Sequence, residues 1–342
     1  MKRSLQVGRV AVLAAGASIV ALAGAEVAVR LLGLADKLVS DPAFESSDRP
    51  GVGYQYKRNF RGRVHGETLL LTNRQGLRDR EYSLKKSVGR MRVVVMGDSV
   101  VFGQGVACRE VFTELLEESL TATLCRPVDV VNFGVQGYTL DNEVSRFATD
   151  AIQYQPDVAI LAPISDDLNL SRSVNFVDSE GYLTKTGSVP AVLKTALRSS
   201  HLAYLVKDAY GKRSAPEPFG TDAPERREAL LRLEREVQRF LEACRQSDVV
   251  PFIVLLDLQE TPLTQAIATL MRSRFREVRF IDVSPRFGAN GWDRFGIRGD
   301  GHPGPLAHRL YAEALQGPIL DTLTTIAAAE GSVASHCPAE GG

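Results

Sequence analysis

The chain reads as an α/β protein: a three-layer α/β/α core around a central parallel sheet of about five strands, with a separate apolar helix at the N-terminus. From residue 91 onward, short apolar runs alternate with longer helical stretches. Such alternation needs crossover connections, which give a parallel sheet with helices on both faces. The apolar runs are continuous, as in strands buried on both sides. Finally, residues 10–25 carry no charge at all.

Lys2, Arg3 and Arg9 flank that uncharged run on its N-terminal side; Glu26, Arg30 and Leu31-Leu32-Gly33-Leu34 come after it. As a helix the run would be about 24 Å long at ~1.5 Å per residue, short of a ~30 Å hydrocarbon core. Residues 1–35 are therefore a retained signal anchor lengthened by Val27–Leu34, or a signal peptide cleaved after Ala23-Gly24-Ala25, which has the A-x-A form. A buried helix of a soluble protein is the third reading. Basic residues ahead of the segment put the N-terminus in the cytoplasm and the rest of the chain outside. The expected location is the cell membrane, single-pass, with the core on the periplasmic or extracellular side. The alternative is a secreted or periplasmic protein after cleavage.

Residues 36–90 form a polar linker and a segment leading into the sheet. Within it Tyr54-Gln55-Tyr56-Lys57 and Leu69-Leu70-Leu71-Thr72 read as short strands, and Asn73-Arg74-Gln75-Gly76-Leu77-Arg78 as a glycine turn. Arg78 either packs against the sheet or reaches the site. The core domain spans 91–329. Its strands are expected at 92–97, 128–133, 157–162, 249–256 and 278–283, and its helices at 109–124, 139–154, 223–247, 261–275 and 304–327. In 223–247, Leu230, Leu233, Val237, Phe240 and Leu241 recur at helical spacing with charges between them.

Residues 168–221 interrupt the alternation. Phe176–Leu183 reads as a hairpin with a glycine turn, Val192–Tyr210 as one helix, and Lys212–Pro224 as a mobile stretch. The insertion comes after the third strand, so it is either a lid over the substrate or a stability element. Residues 330–342 read as a disordered tail.

Lys plus Arg number 41 and Asp plus Glu 41, so the formal net charge is zero, and no stretch concentrates the bases. That argues against a nucleic-acid partner. The four cysteines, Cys108, Cys125, Cys244 and Cys337, show no C-x-x-C spacing, which disfavours zinc. Cys108 and Cys125 flank one helix, too far apart to pair, so unpaired thiols are expected.

The chemistry concentrates in two places. Gly97-Asp98-Ser99 ends the first core strand, Met91–Met96, where an open α/β sheet exposes residues to its crevice. Alone, Ser99 reads equally well as a helix N-cap. A serine becomes a nucleophile only when a base takes its proton. Of five histidines, only His302 has a carboxylate two residues away in a Gly/Pro-rich loop, Gly299-Asp300-Gly301-His302-Pro303. Asp300 can hold Nδ1–H and leave Nε2 for the serine proton. Ser99 is followed by Val100-Val101, so the motif is not the G-x-S-x-G elbow.

The ordered set of motifs resembles the SGNH/GDSL hydrolase family, in its membrane-anchored or exported bacterial form. The resemblance covers roughly residues 50–325 through four blocks: Gly97-Asp98-Ser99 with Phe102-Gly103-Gln104-Gly105, Asn132–Tyr138, Pro156–Ile160 leading to Asp166-Asp167-Leu168, and Asp300-Gly301-His302-Pro303. It implies the flavodoxin-like fold of that family, an acyl-ester substrate, and no cofactor or metal. It also implies catalytic Ser99, Asp300 and His302, and an oxyanion hole from Ser99, Gly137 and the position of Asp166. Gly134 is the alternative to Gly137. The family usually has asparagine where this chain has Asp166. An ionised aspartate there would repel the oxyanion by about 4 kcal/mol at ~4 Å and an effective dielectric of ~20. Asp166 is therefore protonated, or points away with Ser165 or Asn169 donating instead, or the enzyme is slow.

Three functions fit these residues. The first is a serine esterase or O-acyl hydrolase, or an acyl transferase, acting on an acylated carbohydrate or lipid of the cell envelope. The second is a non-catalytic binding protein on the same fold. The third is a metal-dependent phosphohydrolase using Asp98, Asp166, Asp167, Asp300 and His302, which leaves Ser99 unexplained.

Overall fold

The computed structural model describes residues 2–35, 40–64, 68–169, 175–185, 191–211, 223–288, 291–297 and 300–330. The strands are β1 (Phe44–Ser46), β2 (Tyr54–Tyr56), β3 (Arg61–Val64), β4 (Thr68–Leu71), β5 (Met91–Met96), β6 (Val128–Asn132), β7 (Val158–Leu161), β8 (Asn175–Val177), β9 (Leu183–Lys185), β10 (Val250–Leu255) and β11 (Arg279–Asp282). The helices are α1 (Lys2–Leu31), α2 (Ser99–Phe102), α3 (Phe112–Leu124), α4 (Leu140–Thr149), α5 (Ala191–Arg198), α6 (His201–Gly211), α7 (Ala223–Gln246), α8 (Pro262–Arg274), α9 (Gly291–Phe295) and α10 (Pro305–Ala329). Every core strand and helix expected from the sequence is present. The strands agree to within one residue at each end.

The chain divides into two compact units. The larger comprises Pro42–Gly62, Thr68–Thr186 and Glu217–Gly342. Its five-stranded sheet has the order β11-β10-β7-β5-β6, and all four pairings are parallel. β5 comes first in the chain and has β6 on one side and β7 on the other, so the strand order reverses beside it. Ligands bind at such a switch point, outside the carboxyl ends of the strands. The period of two along a strand explains why the apolar residues of β5 serve both faces of the sheet. Met91, Val93 and Val95 join the layer built with α3 and α10. Val94 and Met96 join the layer built with α4, α7 and α8. At the opposite end of the strand, buried Arg92 pairs with Asp129 at 3.0 Å and donates to the carbonyls of Ser83 and Leu84.

The expected hairpin at 176–183 is present as antiparallel β8 and β9, with Gly181 at φ +96° in the turn. These strands belong to the larger unit, whereas residues 187–216 of the same insertion belong to the smaller one.

The smaller unit comprises Met1–Asp41, Arg63–Glu67 and Gly187–Pro216. Within it, Arg9–Leu31 is long and apolar enough to cross a membrane: 23 residues with a mean hydropathy of 2.0. At ~1.5 Å per residue the span reaches about 34 Å, longer than the uncharged run alone. Glu26 pairs with Arg30 at 2.6 Å. It also caps the first turn of α6, accepting from Ser200 Oγ at 2.7 Å and from the His201 and Leu202 N–H groups at 2.9 Å. The single helix expected at 192–210 is therefore two helices. The chain breaks at Ser199-Ser200, where Ser200 Oγ accepts from Ala203 N–H and the Glu26 carboxylate closes the new N-terminus.

Cys108 and Cys244 are free, but Cys125 is disulfide-bonded, against the expectation of unpaired thiols. Spacing along α3 excluded only a pair with Cys108. The expected mobile stretch from 212, the tail from 331 and Gly299 lie outside the described residues.

Candidate active site

β5 ends at Gly97, where a Cβ would lie 2.1 Å from Val101 Cγ2, so only glycine lets the chain fold back into α2. Asp98 caps this one-turn helix: its Oδ1 accepts from Val100 N–H at 2.8 Å. Ser99 is thus the first residue of α2, directly after the capping Asp98. Gly103, at φ +77°, closes the turn by donating to the carbonyls of Ser99 and Val100. Arg78, 6% exposed, clamps the C-terminal end of this helix and the loop beyond it. It donates to the carbonyls of Phe102 (2.8 Å), Gly103 (2.7 Å) and Val106 (2.6 Å). Its guanidinium lies 4.8 Å from the centroid of the Phe102 ring. Arg78 therefore holds the Ser99 turn from behind, the packing alternative of the two sequence readings.

His302 arrives from the other end of the chain, on the loop before α10. Backbone bonds from Ile297 N–H to His302 O (2.7 Å) and from Gly304 N–H to Phe295 O (2.6 Å) fix that loop. Gly301, at φ +77°, makes the turn between Asp300 and His302. His302 Nε2 lies 2.9 Å from Ser99 Oγ, and Nδ1 lies 3.2 Å from Asp300 Oδ1. The carboxylate fixes the proton on Nδ1 and turns the Nε2 lone pair toward the serine. The Ser99 hydroxyl also lies 3.1 Å from Asp98 Oδ2, so two acceptors face its one proton. The structure brings Ser99, Asp300 and His302 together. His308 is fully buried and accepts from Phe112 N–H through Nδ1 at 3.3 Å, well away from this chemistry.

The turn after β6 forms a second wall. Asn132 donates to the Val101 carbonyl at 2.7 Å and accepts from Gly134 N–H at 2.9 Å. A Cβ on Gly134 would lie 2.2 Å from Phe102 N, so this glycine serves close approach to α2. With its N–H spent on Asn132, Gly134 has none to offer a ligand. Gly137, at φ +73°, has its carbonyl held by Asn175 Nδ2 at 3.0 Å. Among the described residues the backbone N–H groups of Ser99 and Gly137 have no acceptor.

The third wall is the 3₁₀ turn Ser165–Leu168 after β7, which carries half-buried Asp166. Ser165 is committed elsewhere: its N–H and Oγ bond to Asp257 at 2.9 and 2.5 Å. Its hydroxyl proton is therefore unavailable to an oxyanion. Asp257 is pushed up to about 6 by burial, against the pull of its two bonds from Ser165. Asp167 is fully buried and takes Ile164 N–H at 2.8 Å. Glu143 is also fully buried. Burial, then the charge of Asp98, raises both well above the usual carboxylate range. Asp167 thus ties the backbone of its own turn.

Two side chains at this site have no distinct sequence signature. Gln104 Nε2 lies 3.3 Å from Asp300 Oδ1, and Gln136 Nε2 lies 2.5 Å from Gln104 Oε1. The local signal for Gln104 was its place between two glycines, both at positive φ in the structure.

A profile described as GDSL-like Lipase/Acylhydrolase matches residues 93–315. Among solved structures the chain is similar to a psychrotrophic esterase from Pseudoalteromonas sp. (11% identity, 68% of this chain and 98% of that one, TM-score 0.41). It is also similar to a lipase from a goat rumen metagenome (15%, 66% and 96%, TM-score 0.43). A third is a catalytic mutant of an acetylxylan esterase from Geobacillus stearothermophilus (13%, 66% and 92%, TM-score 0.38). Curated protein sequences give no match. With well over half of its length matched, the chain belongs to the GDSL-like lipase/acylhydrolase family and is an ester-bond hydrolase.

Proposed function

We propose that the chain cleaves or transfers an acyl group of an esterified carbohydrate or lipid in the cell envelope, with Ser99 as nucleophile, His302 as base and Asp300 as its orienter. The observation that carries this reading is the continuous pair of contacts Ser99–His302 and His302–Asp300, at 2.9 and 3.2 Å. Ser99 Oγ attacks the ester carbonyl while its proton passes to His302 Nε2. The imidazolium formed is stabilised by Asp300. The carbonyl oxygen, now negative, takes the N–H groups of Ser99 and Gly137. Collapse expels the alcohol, which leaves with the proton from His302. A water, or the hydroxyl of a sugar, then attacks the acyl-serine with His302 again as base. Hydrolysis and transfer differ only in that second nucleophile.

Asp166 is proposed as the third oxyanion donor, in its protonated form. Engagement of Ser165 with Asp257 leaves Asp166 and Asn169 as the candidates on this turn. A metal-centred reading is disfavoured by His302 itself, both of whose nitrogens already have partners. Activity-based labelling tests the nucleophile: a fluorophosphonate should modify the protein at Ser99, and absence of label on active protein would overturn the assignment.

The location is read from α1. We take it as a retained anchor, with the hydrolase unit on the outer face of the membrane. Basic residues precede the span. Glu26 and Arg30 are built into the capping of α6, a use that a discarded leader would not have. The disulfide at Cys125 suits an oxidising compartment.

A further inference from the structure

We infer that Gln104 is a positioning residue for the base pair Asp300–His302, and that Gln136 orients it; this rests on the triad reading above. Both amides are buried, at 8% and 4% exposure; Gln104 makes two side-chain bonds and Gln136 one, in a row running Gln136, Gln104, Asp300, His302, Ser99. The direction of the row is fixed by charge. An ionised Asp300 only accepts, so Gln104 must present its NH₂ there and its carbonyl to Gln136. Gln136 then spends its own NH₂ on Gln104, and its Oε1 is left buried with no partner among the described residues. A reversed row would give Gln136 Oε1 a donor but put the Gln104 oxygen against the Asp300 carboxylate. The orphaned acceptor is the cost of serving the charge.

The two amides also stand at both walls of the site. Gln104 lies on the loop that Arg78 clamps behind the nucleophile turn. Gln136 precedes Gly137, and its carbonyl is held by Tyr54 Oη at 2.9 Å. A third constraint comes from Gly105, at φ +75°, where a Cβ would lie 3.1 Å from Asp300 Oδ2. Asp300 is about one-third exposed and sits two residues from His302 on a glycine turn. The Gln104 donor is a further point of attachment that holds the carboxylate toward Nδ1.

The test is a double-mutant cycle on a short-chain acyl ester. Gln104→Met keeps the unbranched shape and removes the donor. It should lower kcat about 10-fold, the size of one hydrogen bond to a charged group, with KM unchanged. The acid limb of the kcat/KM profile should move to higher pH, because an Asp300 that shares its charge with no amide stabilises the imidazolium more. In an Asp300→Ala background Gln104→Met should cost nothing further. Gln136→Met should shift the same limb in the same direction by less, and it serves as the test if Gln104→Met does not fold. Full activity with an unmoved limb in the folded variant would overturn the inference. So would an equal loss with and without Asp300. If Asp300→Ala itself costs nothing, the triad reading falls and this inference with it. A loss in Asp300→Ala together with a silent Gln104→Met overturns only the role of Gln104.

Discussion

His302 Nε2 lies 2.9 Å from Ser99 Oγ although 203 positions separate the two residues. One closes the first strand of the sheet and the other opens the last helix. The fold thus brings the two side chains together from opposite ends of the hydrolase domain, and each is held by its own local device: the Asp98 cap and Arg78 clamp for Ser99, the Gly301 turn and Asp300 for His302.

His302→Ala should abolish nearly all turnover of a short-chain acyl ester, and Asp300→Ala somewhat less. Groups that act as one unit are strongly non-additive. The double variant should therefore be little worse than His302→Ala alone in steady-state assays. Multiplication of the two effects would show that the residues work separately.

Asp166→Asn replaces a titrating donor with a fixed one. If the carboxyl stands in the oxyanion hole, its protonated form donates and its ionised form opposes the developing charge. The substitution should then raise kcat at neutral pH and extend activity on the alkaline side of the pH profile. An unchanged rate and profile would turn Asp166 away from the hole and leave Asn169 as the candidate on that turn.

His308 makes a separate prediction about stability. Burial lowers it from 6.5 to about 3, so the folded protein keeps it neutral where the unfolded chain takes up a proton. Its contribution is present in full above pH 6.5 and is lost as pH falls toward 3, by about 1.4 kcal/mol per pH unit. His308→Gln can still accept from Phe112 N–H but does not titrate. Urea unfolding between about pH 7 and pH 4 should show a shallower acid-side loss in this variant; an identical slope would contradict the assignment.

The anchor reading predicts the N-terminus of the membrane-bound protein. N-terminal sequencing should find the chain beginning ahead of α1, and protease added to spheroplasts should digest the hydrolase domain. A chain beginning at Glu26 would mean cleavage after Ala25. Protection until lysis would reverse the orientation.

Much of this site was legible because strand ends are. The continuous apolar runs fixed β5, β6, β7, β10 and β11, and in a parallel sheet they also fix where Ser99, Gly137 and Asp166 emerge. The pairing of Ser99 with His302 was readable since only one histidine had a carboxylate two residues away in a Gly/Pro-rich loop. What escaped depends on contacts distant in sequence. The break at Ser199-Ser200 needs Glu26, 174 positions from Ser200, to cap α6. The commitment of Ser165 needs Asp257, 92 positions away. Gln104 and Gln136 are single neutral amides with no periodicity, so nothing in composition marks them. The insertion at 168–221 was open between lid and stability element. Asn175 against Gly137 brings its first part to the wall of the site, while residues 187–216 belong to the smaller unit.

The reactivity of Ser99 is the decisive measurement. Wild-type protein incubated with a fluorophosphonate should gain one phosphonyl group, mapped by mass spectrometry to Ser99, with activity lost in step. Ser99→Ala should fold with an unchanged unfolding midpoint, take no label and hydrolyse acyl esters at a rate lower by several orders of magnitude. Label elsewhere with full inactivation, or a Ser99→Ala variant within about 10-fold of wild type, would remove Ser99 from the nucleophile's role.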